Sequence, residues 1–281
     1  METRDLKYLR LYSNFFNRSY LFDFIYKRNN KIKNVLLASE NNSNLFNGYS
    51  VGSYSEMFEY IYSLLCNYYK CEYIYLNKFF INEILKNHDE NHTVLTELYV
   101  NESQADLVVI NGTSTVYEIK TELDNLKRLP KQLDDYTKTF DKVYVITNKT
   151  YLKQVRDILK EKFKTVGIYL LDEDGSLKRI RESKSHKSSL NKEYMFNVLN
   201  RKEFEKIDED YYKAKAKFLK MSVKKAYEFY KNALFDRAKD TQYLMAFPDS
   251  LKLAIYKIQN KLTLEERRLL LDKLKTNIIE E

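Results

Sequence analysis

The sequence predicts an α/β protein in which a mixed central sheet is flanked by helices. Between residues 93 and 171, short extended segments alternate with helical ones in the order strand, strand, strand, helix, strand, helix, strand. On both sides of this stretch, apolar residues recur at the spacing of helices. Strands that alternate with helices in this way favour a sheet covered by helices over a helical bundle or an all-β fold.

The length of the chain suggests a core with helical additions. The chain has 281 residues, more than the usual domain of about 100 to 200. Residues 1–50 are predicted to form an N-terminal helical arm and loop, and residues 51–183 the α/β core, which begins with two helices. A polar linker is expected at 184–192, followed by a C-terminal helical domain at 193–281.

The elements of the core follow from changes in apolar periodicity. Period-two patterns predict the first three strands, and Asn111-Gly112 supplies a turn between the second and the third. A helix then carries Leu129 and Leu133 at helical spacing, with Pro130 in its first turn, where a missing N–H costs nothing. The predicted strands are 93–101, 104–110, 114–120, 142–147 and 166–171, and the last two are separated by a helix at 150–163.

Composition limits the classes of function. The net charge is +8 and the isoelectric point is about 9.0, which fits a polyanionic partner such as nucleic acid. No apolar run approaches the roughly 18 residues that span a bilayer, and the first residues lack the pattern of a secretory signal. We therefore expect a cytoplasmic protein without a membrane partner.

The most informative motif is an Asp early in one strand followed by Glu-x-Lys at the end of the next, in ADLVVINGTSTVYEIK. Glu118 and Lys120 are two residues apart on a strand, so their side chains project from the same face. Asp106 shares that face if the connecting loop holds an odd number of residues. A strict two-residue Asn-Gly turn would place it on the other face.

These residue types suit the hydrolysis of phosphodiester bonds. Two carboxylates among the apolar residues of a central strand are costly unless a cation compensates them, and Mg²⁺ or Mn²⁺ prefers oxygen ligands. Such a metal would activate water, and Lys120 would orient that water or stabilise charge at phosphorus. The alternative is that Asp106 caps a strand end while Glu118 and Lys120 form an exposed ion pair.

The motifs resemble those of the PD-(D/E)XK nuclease superfamily and, within it, the bacterial family usually labelled sce7726. The pieces ADLVVIN, YEIKTELD and RLPKQLDDY carry the resemblance, together with GSYSEMFEYIY upstream, and it covers roughly residues 50 to 185. It implies a Mg²⁺- or Mn²⁺-dependent deoxyribonuclease. The RecB-like branch carries a Gln-x-x-x-Tyr motif, which Gln132 and Tyr136 match, and Arg128 one turn earlier could reach a phosphate.

The resemblance also implies a further metal-binding carboxylate, which such nucleases often take from a helix before the sheet. Glu56 fits best, because Gly52-x-x-x-Glu56 is similar to the first motif of the superfamily. Glu59, about one turn away, and Glu97 on the first strand are the other candidates. For all three, an exposed carboxylate without a role at the site is the alternative.

The C-terminal part supplies candidate contacts to DNA. The run YYKAKAKFLKMSVKKAYEFYKNALF places Lys220 and Lys224 on an amphipathic helix, where they could contact the DNA backbone or simply face solvent. Three functions stay open at this stage. The first is a deoxyribonuclease, the second an RNA-directed nuclease, and the third a non-catalytic, nuclease-fold binding or regulatory protein associated with immunity or phage defence.

Overall fold

The computed structural model describes residues 3–26, 30–40, 43, 45, 52–86, 92–172, 176–238 and 241–278. The strands are β1 (Thr93–Val100), β2 (Ser103–Asn111), β3 (Thr113–Lys120), β4 (Lys142–Thr147), β5 (Gly167–Leu171) and β6 (Leu177–Arg181). The helices are α1 (Thr3–Ser13), α2 (Arg18–Tyr26), α3 (Lys31–Glu40), α4 (Tyr54–Tyr68), α5 (Glu72–Phe79), α6 (Leu129–Thr137), α7 (Lys149–Glu161), α8 (Lys192–Val198), α9 (Arg201–Phe204), α10 (Tyr211–Lys220), α11 (Val223–Phe235), α12 (Lys252–Ile258) and α13 (Leu264–Lys275). A π-helical segment, Phe80–Leu85, extends α5.

The chain divides into two compact units. The first comprises residues 1–86 together with 240–281 and is helical, and the second comprises residues 87–239 and contains the sheet. In the first unit, Phe58 of α4 packs edge-on against Phe15, Phe16 and Phe24, which form part of a buried aromatic core. No helix in the described part of the chain is both long and apolar enough to cross a membrane.

The second unit contains a six-stranded mixed sheet whose strands stand in chain order. Strands β1, β2 and β3 are antiparallel, β3, β4 and β5 are parallel, and β6 returns antiparallel beside β5. Each parallel step needs a crossover, and α6 and α7 provide the two crossovers. The predicted mixed α/β class, a sheet flanked by helices, is confirmed.

One face of the sheet supports the core of this unit. Val116, Val143 and Val145 are fully buried against Leu133 of α6 and Leu159 of α7. Both crossover helices therefore lie on the same face, as successive parallel strands joined by crossovers of one hand require. This arrangement brings α6 against the strand that carries the Glu-x-Lys motif.

Strand β6 is absent from the elements that the sequence predicts. Its residues, LKRIR, are half-exposed or exposed throughout, and it occupies the edge of the sheet. An edge strand with charged side chains protects the sheet against unwanted pairing, but its sequence lacks the apolar run that marks a central strand. The other five predicted strands agree with the structure to within one or two residues.

The predicted domain boundaries differ from the two units. Helices α8, α10 and α11 bury Phe196, Phe218 and Tyr230 in the same core as the sheet, so they complete the second unit and form no separate domain. Helices α12 and α13 belong with the N-terminal helices, where Ser53 and Asn277 form an isolated β-bridge. Part of the predicted N-terminal loop, residues 41, 42, 44 and 46–50, lies outside the described residues.

The segment 184–192, predicted as a linker, is fixed to the second unit by its backbone. The amides of Lys184, His186 and Asn191 donate to carbonyl oxygens of Thr165, Asp141 and Lys138, each at 2.8 Å. Similarly, the single amphipathic helix predicted around Lys220 is two helices, because Ser222 caps a new helix by accepting from the Lys225 amide.

Asp141 connects the sheet to this segment. Its buried carboxylate accepts a hydrogen bond from Thr113 Oγ1 at 2.6 Å and another from Ser185, and Lys187 Nζ lies 3.7 Å away. Burial acts to raise the pKa of Asp141, but the bonds from Ser185 and Thr113 and the charge of Lys187 outweigh it, so the pKa lies below its ordinary value.

We predict that Asp141→Asn lowers the free energy of unfolding by about 1–3 kcal/mol at pH 7, because it removes hydrogen bonds to a buried charge. A depressed carboxyl pKa stabilises the fold above the pKa of the unfolded chain, about 3.9, and this contribution disappears as pH falls through the folded pKa. Urea denaturation from pH 7 to pH 3 should therefore show the two proteins converging below about pH 4. The exposed Glu161→Gln is the control, and a difference independent of pH would contradict the prediction.

Candidate active site

The centre of the site is a buried ion pair at the end of β3. Lys120 Nζ donates to Glu118 Oε1 at 2.6 Å, and only 6% and 1% of the two side chains are exposed. The exposed surface pair considered as an alternative is therefore wrong. Two charges removed from water are costly unless they compensate each other and their remaining atoms are hydrogen-bonded, so the surroundings of this pair matter.

Asp106 lies across from Glu118 on the neighbouring strand. The register pairs Asn111 with Thr113 around the single residue Gly112, and pairs Leu107 with Tyr117. The connection is therefore odd, the condition under which Asp106 shares the face of Glu118. Gly112 adopts φ 65°, which suits glycine. Asp106 Oδ2 also accepts the Ile119 N–H at 2.6 Å, which holds its carboxylate beside the motif.

Helix α6 provides two more donors to Glu118. Gln132 Nε2 donates to Glu118 Oε1 at 2.5 Å, and the Tyr136 hydroxyl lies 2.8 Å from Glu118 Oε2 and 2.9 Å from the Gln104 carbonyl oxygen. Residues four apart project from the same face of a helix, which lets both side chains reach one carboxylate. The structure thus brings together Asp106, Glu118, Lys120, Gln132 and Tyr136.

Burial controls the electrostatics of these groups. It raises the pKa of the Glu118 carboxyl, whereas the charge of Lys120 and the bonds from Tyr136 and Gln132 act in the opposite direction. Burial, together with the negative charges of Glu118 and Asp106, raises the pKa of the Tyr136 phenol. Tyr136 therefore stays protonated at neutral pH and acts as a neutral hydrogen-bonding group beside the carboxylates.

The donor chemistry of the site suits a hard divalent cation. Asp106, Glu118 and Lys120 together carry a net charge of about −1 when ionised, and Gln132 Oε1 is buried without a hydrogen-bond partner in the described chain. Within the described residues, no group of three or more His, Cys, Asp or Glu side chains is arranged to hold a metal. Two carboxylates nevertheless suffice for Mg²⁺ when water and phosphate oxygens complete its coordination.

The candidates for a further carboxylate are placed differently. Glu56 belongs to the helical unit, where its Oε2 accepts the amides of Gly52 and Ser53 at 2.9 and 3.0 Å and caps α4. A Cβ at position 52 would lie 2.9 Å from that oxygen, so the Gly-x-x-x-Glu spacing has a capping explanation. Glu59 Oε1 accepts the Ser250 amide at 3.0 Å. A metal-binding role for Glu56 stays a prediction.

Glu97 is the candidate within the same unit as the site. Pairing between β1 and β2 is interrupted between Thr96–Leu107 and Leu98–Ala105, and the positions skipped on the two strands are Glu97 and Asp106. Glu97 is exposed and adopts φ 55°, a conformation rare for residues other than glycine. Strain of this kind often accompanies functional sites, but the role of Glu97 is a prediction.

The predicted DNA-contacting residues are all exposed but occupy different places. Arg128 ends the 3-10 turn that leads into α6, one turn before Gln132. Lys220 ends α10 and Lys224 opens α11, and α11 is attached to the beginning of β3, where the Ser114 amide donates to the Tyr227 hydroxyl at 3.0 Å. Six residues of strand, about 20 Å, separate that point from Lys120.

Comparison with known proteins assigns a family. The family model for bacteriophage P4 protein cII matches residues 69–247, more than half of the chain. The chain belongs to the bacteriophage P4 protein cII family. Protein cII of Enterobacteria phage P4 is 34% identical over 65 residues, which are 22% of this chain and 25% of that protein. The chain thus matches about a quarter of the length of this relative, and no solved structure matches.

The region that matches the cII family contains all five clustered residues, along with supports that sequence reasoning missed. Thr147 Oγ1 donates to the Lys120 carbonyl at 3.0 Å, and Ser103 Oγ donates to the buried Asp135 of α6 at 2.6 Å. The first bond fixes the end of β3, and the second fixes α6 against the start of β2. The only sequence signal for them is that polar residues stand at the ends of strands.

We predict that Glu118→Gln and Lys120→Met each lower the free energy of unfolding by about 3–5 kcal/mol at pH 7, because each leaves a buried charge without its partner. The double variant should be destabilised by much less than the sum. Urea denaturation of the four proteins measures this coupling.

The control for this double-mutant cycle is Lys206→Met, which breaks an exposed ion pair with Asp236. It should lower the free energy of unfolding by about 0–1 kcal/mol. Additive destabilisation in the cycle would show that the ammonium and the carboxylate do not depend on each other.

Proposed function

We propose that this chain is a metal-dependent nuclease of the PD-(D/E)XK type that hydrolyses phosphodiester bonds in DNA. The observation that carries the proposal is the buried Glu118–Lys120 pair opposite Asp106, held by Gln132 and Tyr136. A structural ion pair alone would also use the two donors from α6, but it would not need a second carboxylate, Asp106, across from it. The order of strands and helices in the second unit also agrees with the resemblance found in the sequence.

Asp106 and Glu118 are the residues that would hold Mg²⁺ or Mn²⁺. Such an ion, when bound, polarises the scissile phosphate and makes a bound water more acidic. Lys120 provides a fixed positive charge next to these carboxylates, suited to orienting water or stabilising negative charge at phosphorus. Gln132 and Tyr136 fix the Glu118 carboxylate, and the exposed Arg128, one turn before Gln132, would contact a phosphate.

We predict that the purified protein cleaves DNA with Mg²⁺ or Mn²⁺ and that Asp106→Asn and Lys120→Ala each reduce the rate by about 100-fold or more, because each removes a group that acts on the transition state. Gel analysis of circular and linear DNA, with RNA in parallel, measures cleavage and identifies the polymer. Digestion of the circle requires internal cleavage.

Lys206→Ala, which changes an exposed lysine paired with Asp236, is the matched control and should cleave at the normal rate. Cleavage that persists unchanged in both site variants would overturn the proposal. Cleavage of RNA alone would replace DNA by RNA as the substrate and retain the site.

A second candidate is a nuclease-fold protein that binds or regulates without catalysis, in an immunity or phage-defence setting. Lys120, Gln132 and Tyr136 already donate hydrogen bonds to both oxygens of Glu118. A metal ion would have to compete with these three partners, and this favours the non-catalytic candidate. The name of the phage relative, protein cII, states no activity, so it does not separate the two candidates.

Metal binding separates them, and we predict that calorimetry with Mn²⁺ detects a site that disappears in Asp106→Asn and in Glu118→Gln. Each variant replaces one of the two carboxylates that would bind the ion by a neutral amide. Glu102→Gln, which changes an exposed carboxylate at the β1–β2 turn, should bind normally. If the normal protein binds no Mn²⁺, the non-catalytic candidate is preferred.

A further inference from the structure

Helix α7 carries a row of cations on its exposed side. Lys149, Lys153, Arg156 and Lys160 are spaced by four, three and four residues, which places them on one helical face. Val155 and Leu159 fill the opposite face and are buried in the core. The row therefore faces solvent on a helix whose position is fixed by the sheet.

Most of this row is not neutralised by acidic side chains. Lys149 pairs with Asp172 at 3.3 Å, whereas no carboxylate of the described chain lies within ion-pair distance of Lys153, Arg156 or Lys160. Asp157 and Glu161 lie along one edge of the row and reduce its charge without pairing with it. Unpaired cations in a row are more typical of a polyanion-binding surface than of a surface stabilised by ion pairs.

An arginine of β6 adds an independent signal. Arg181 Nε donates to the Val166 carbonyl at 2.8 Å, but its Nη2 is buried without a hydrogen-bond partner in the described residues. Burial lowers the pKa of Arg181, and the nearby charge of Arg156 lowers it further. Two guanidinium groups whose charges act on each other form part of one cationic surface, which suits a polyanion.

The row begins next to the candidate active site. Thr147, two residues before α7, pairs with Lys120 across β3 and β4, and Asn148 caps the helix. From Lys149 to Lys160 the helix advances about 16 Å. This distance corresponds to about five nucleotides at 3.4 Å each. The row is therefore long enough to lie along about five nucleotides of one strand that passes the active site.

We propose that Lys153, Arg156 and Lys160 of α7, with Arg181 of β6, bind the phosphate backbone of the nucleic acid next to the cleaved bond. This set differs from the row on α7, because it omits Lys149, which pairs with Asp172, and adds Arg181. The inference rests on the proposed nuclease function for the position of the cleaved bond. The interactions are independent of base sequence, because they involve phosphates alone. Arg156 would bind phosphate in a forked geometry, Arg181 would add positive charge beside it, and the lysines would act as point charges.

The test is the affinity of the full chain for a fluorescein-labelled DNA duplex, measured by anisotropy at increasing KCl in EDTA, where cleavage is absent. The variant Lys153→Gln, Arg156→Gln, Lys160→Gln should bind about tenfold more weakly or worse at low salt. Its slope of log affinity against log salt should be smaller by about 0.9 for each phosphate that the variant no longer neutralises. Arg181→Lys should retain the slope, since it keeps the charge.

The control removes the same charge elsewhere in the unit, with Arg201→Gln, Lys202→Gln and Lys206→Gln, all exposed. Thermal unfolding confirms that both triple variants are folded. Equal affinity and slope for the two triple variants would overturn the inference. Weaker binding by the α7 triple variant alone would support it, even if the normal protein cleaves no DNA, so the two proposals fail separately.

Discussion

The buried pair of Glu118 and Lys120 is the interaction on which the rest of the second unit depends. Two charges with almost no exposure are tolerated only where further hydrogen bonds satisfy their remaining atoms. Gln132 and Tyr136 supply those bonds from α6, which requires that α6 cross the sheet directly over the end of β3. Ser103 and Asp135 then lock α6 against the start of β2. The position of one carboxylate thus determines the position of a helix.

The same pair explains why register is critical in the first three strands. A shift of one residue between β2 and β3 would turn Asp106 away from Glu118 and exchange buried and exposed side chains along the strand. The single glycine at the turn, Gly112, and the bond from the Ile119 amide to Asp106 both resist such a shift. A site made of side chains from adjacent central strands is therefore more rigid than one made of loops.

Much of this could be predicted from the sequence, because the central strands have strong apolar patterns and Glu-x-Lys places two charges on one face regardless of tertiary structure. Strand β6 could not, since an edge strand pairs through its backbone and its side chains remain charged. The sequence also could not predict that α8 to α11 pack with the sheet. Helical periodicity shows that one face of a helix is buried, but not that Phe196 and Phe218 are buried in the core of the sheet. The capping role of Glu56 could have been predicted, because Ser53-x-x-Glu56 has the spacing of a capping box, and the structure contains both of its hydrogen bonds.

The two cationic regions of the second unit have different relations to the site. Helix α11, which carries Lys224, is attached to the beginning of β3, whereas α7 starts beside the strand end where Lys120 lies. A nucleic acid that contacts α11, α7 and the carboxylates must span at least the length of β3, which is about 20 Å or six nucleotides. A nucleic acid that contacts only α7 and the carboxylates needs no more than one strand lying along that helix. The charge of Arg156 contributes to the lowered pKa of Arg181, so under our proposal the shorter path would bring the backbone past two guanidinium groups of the same surface.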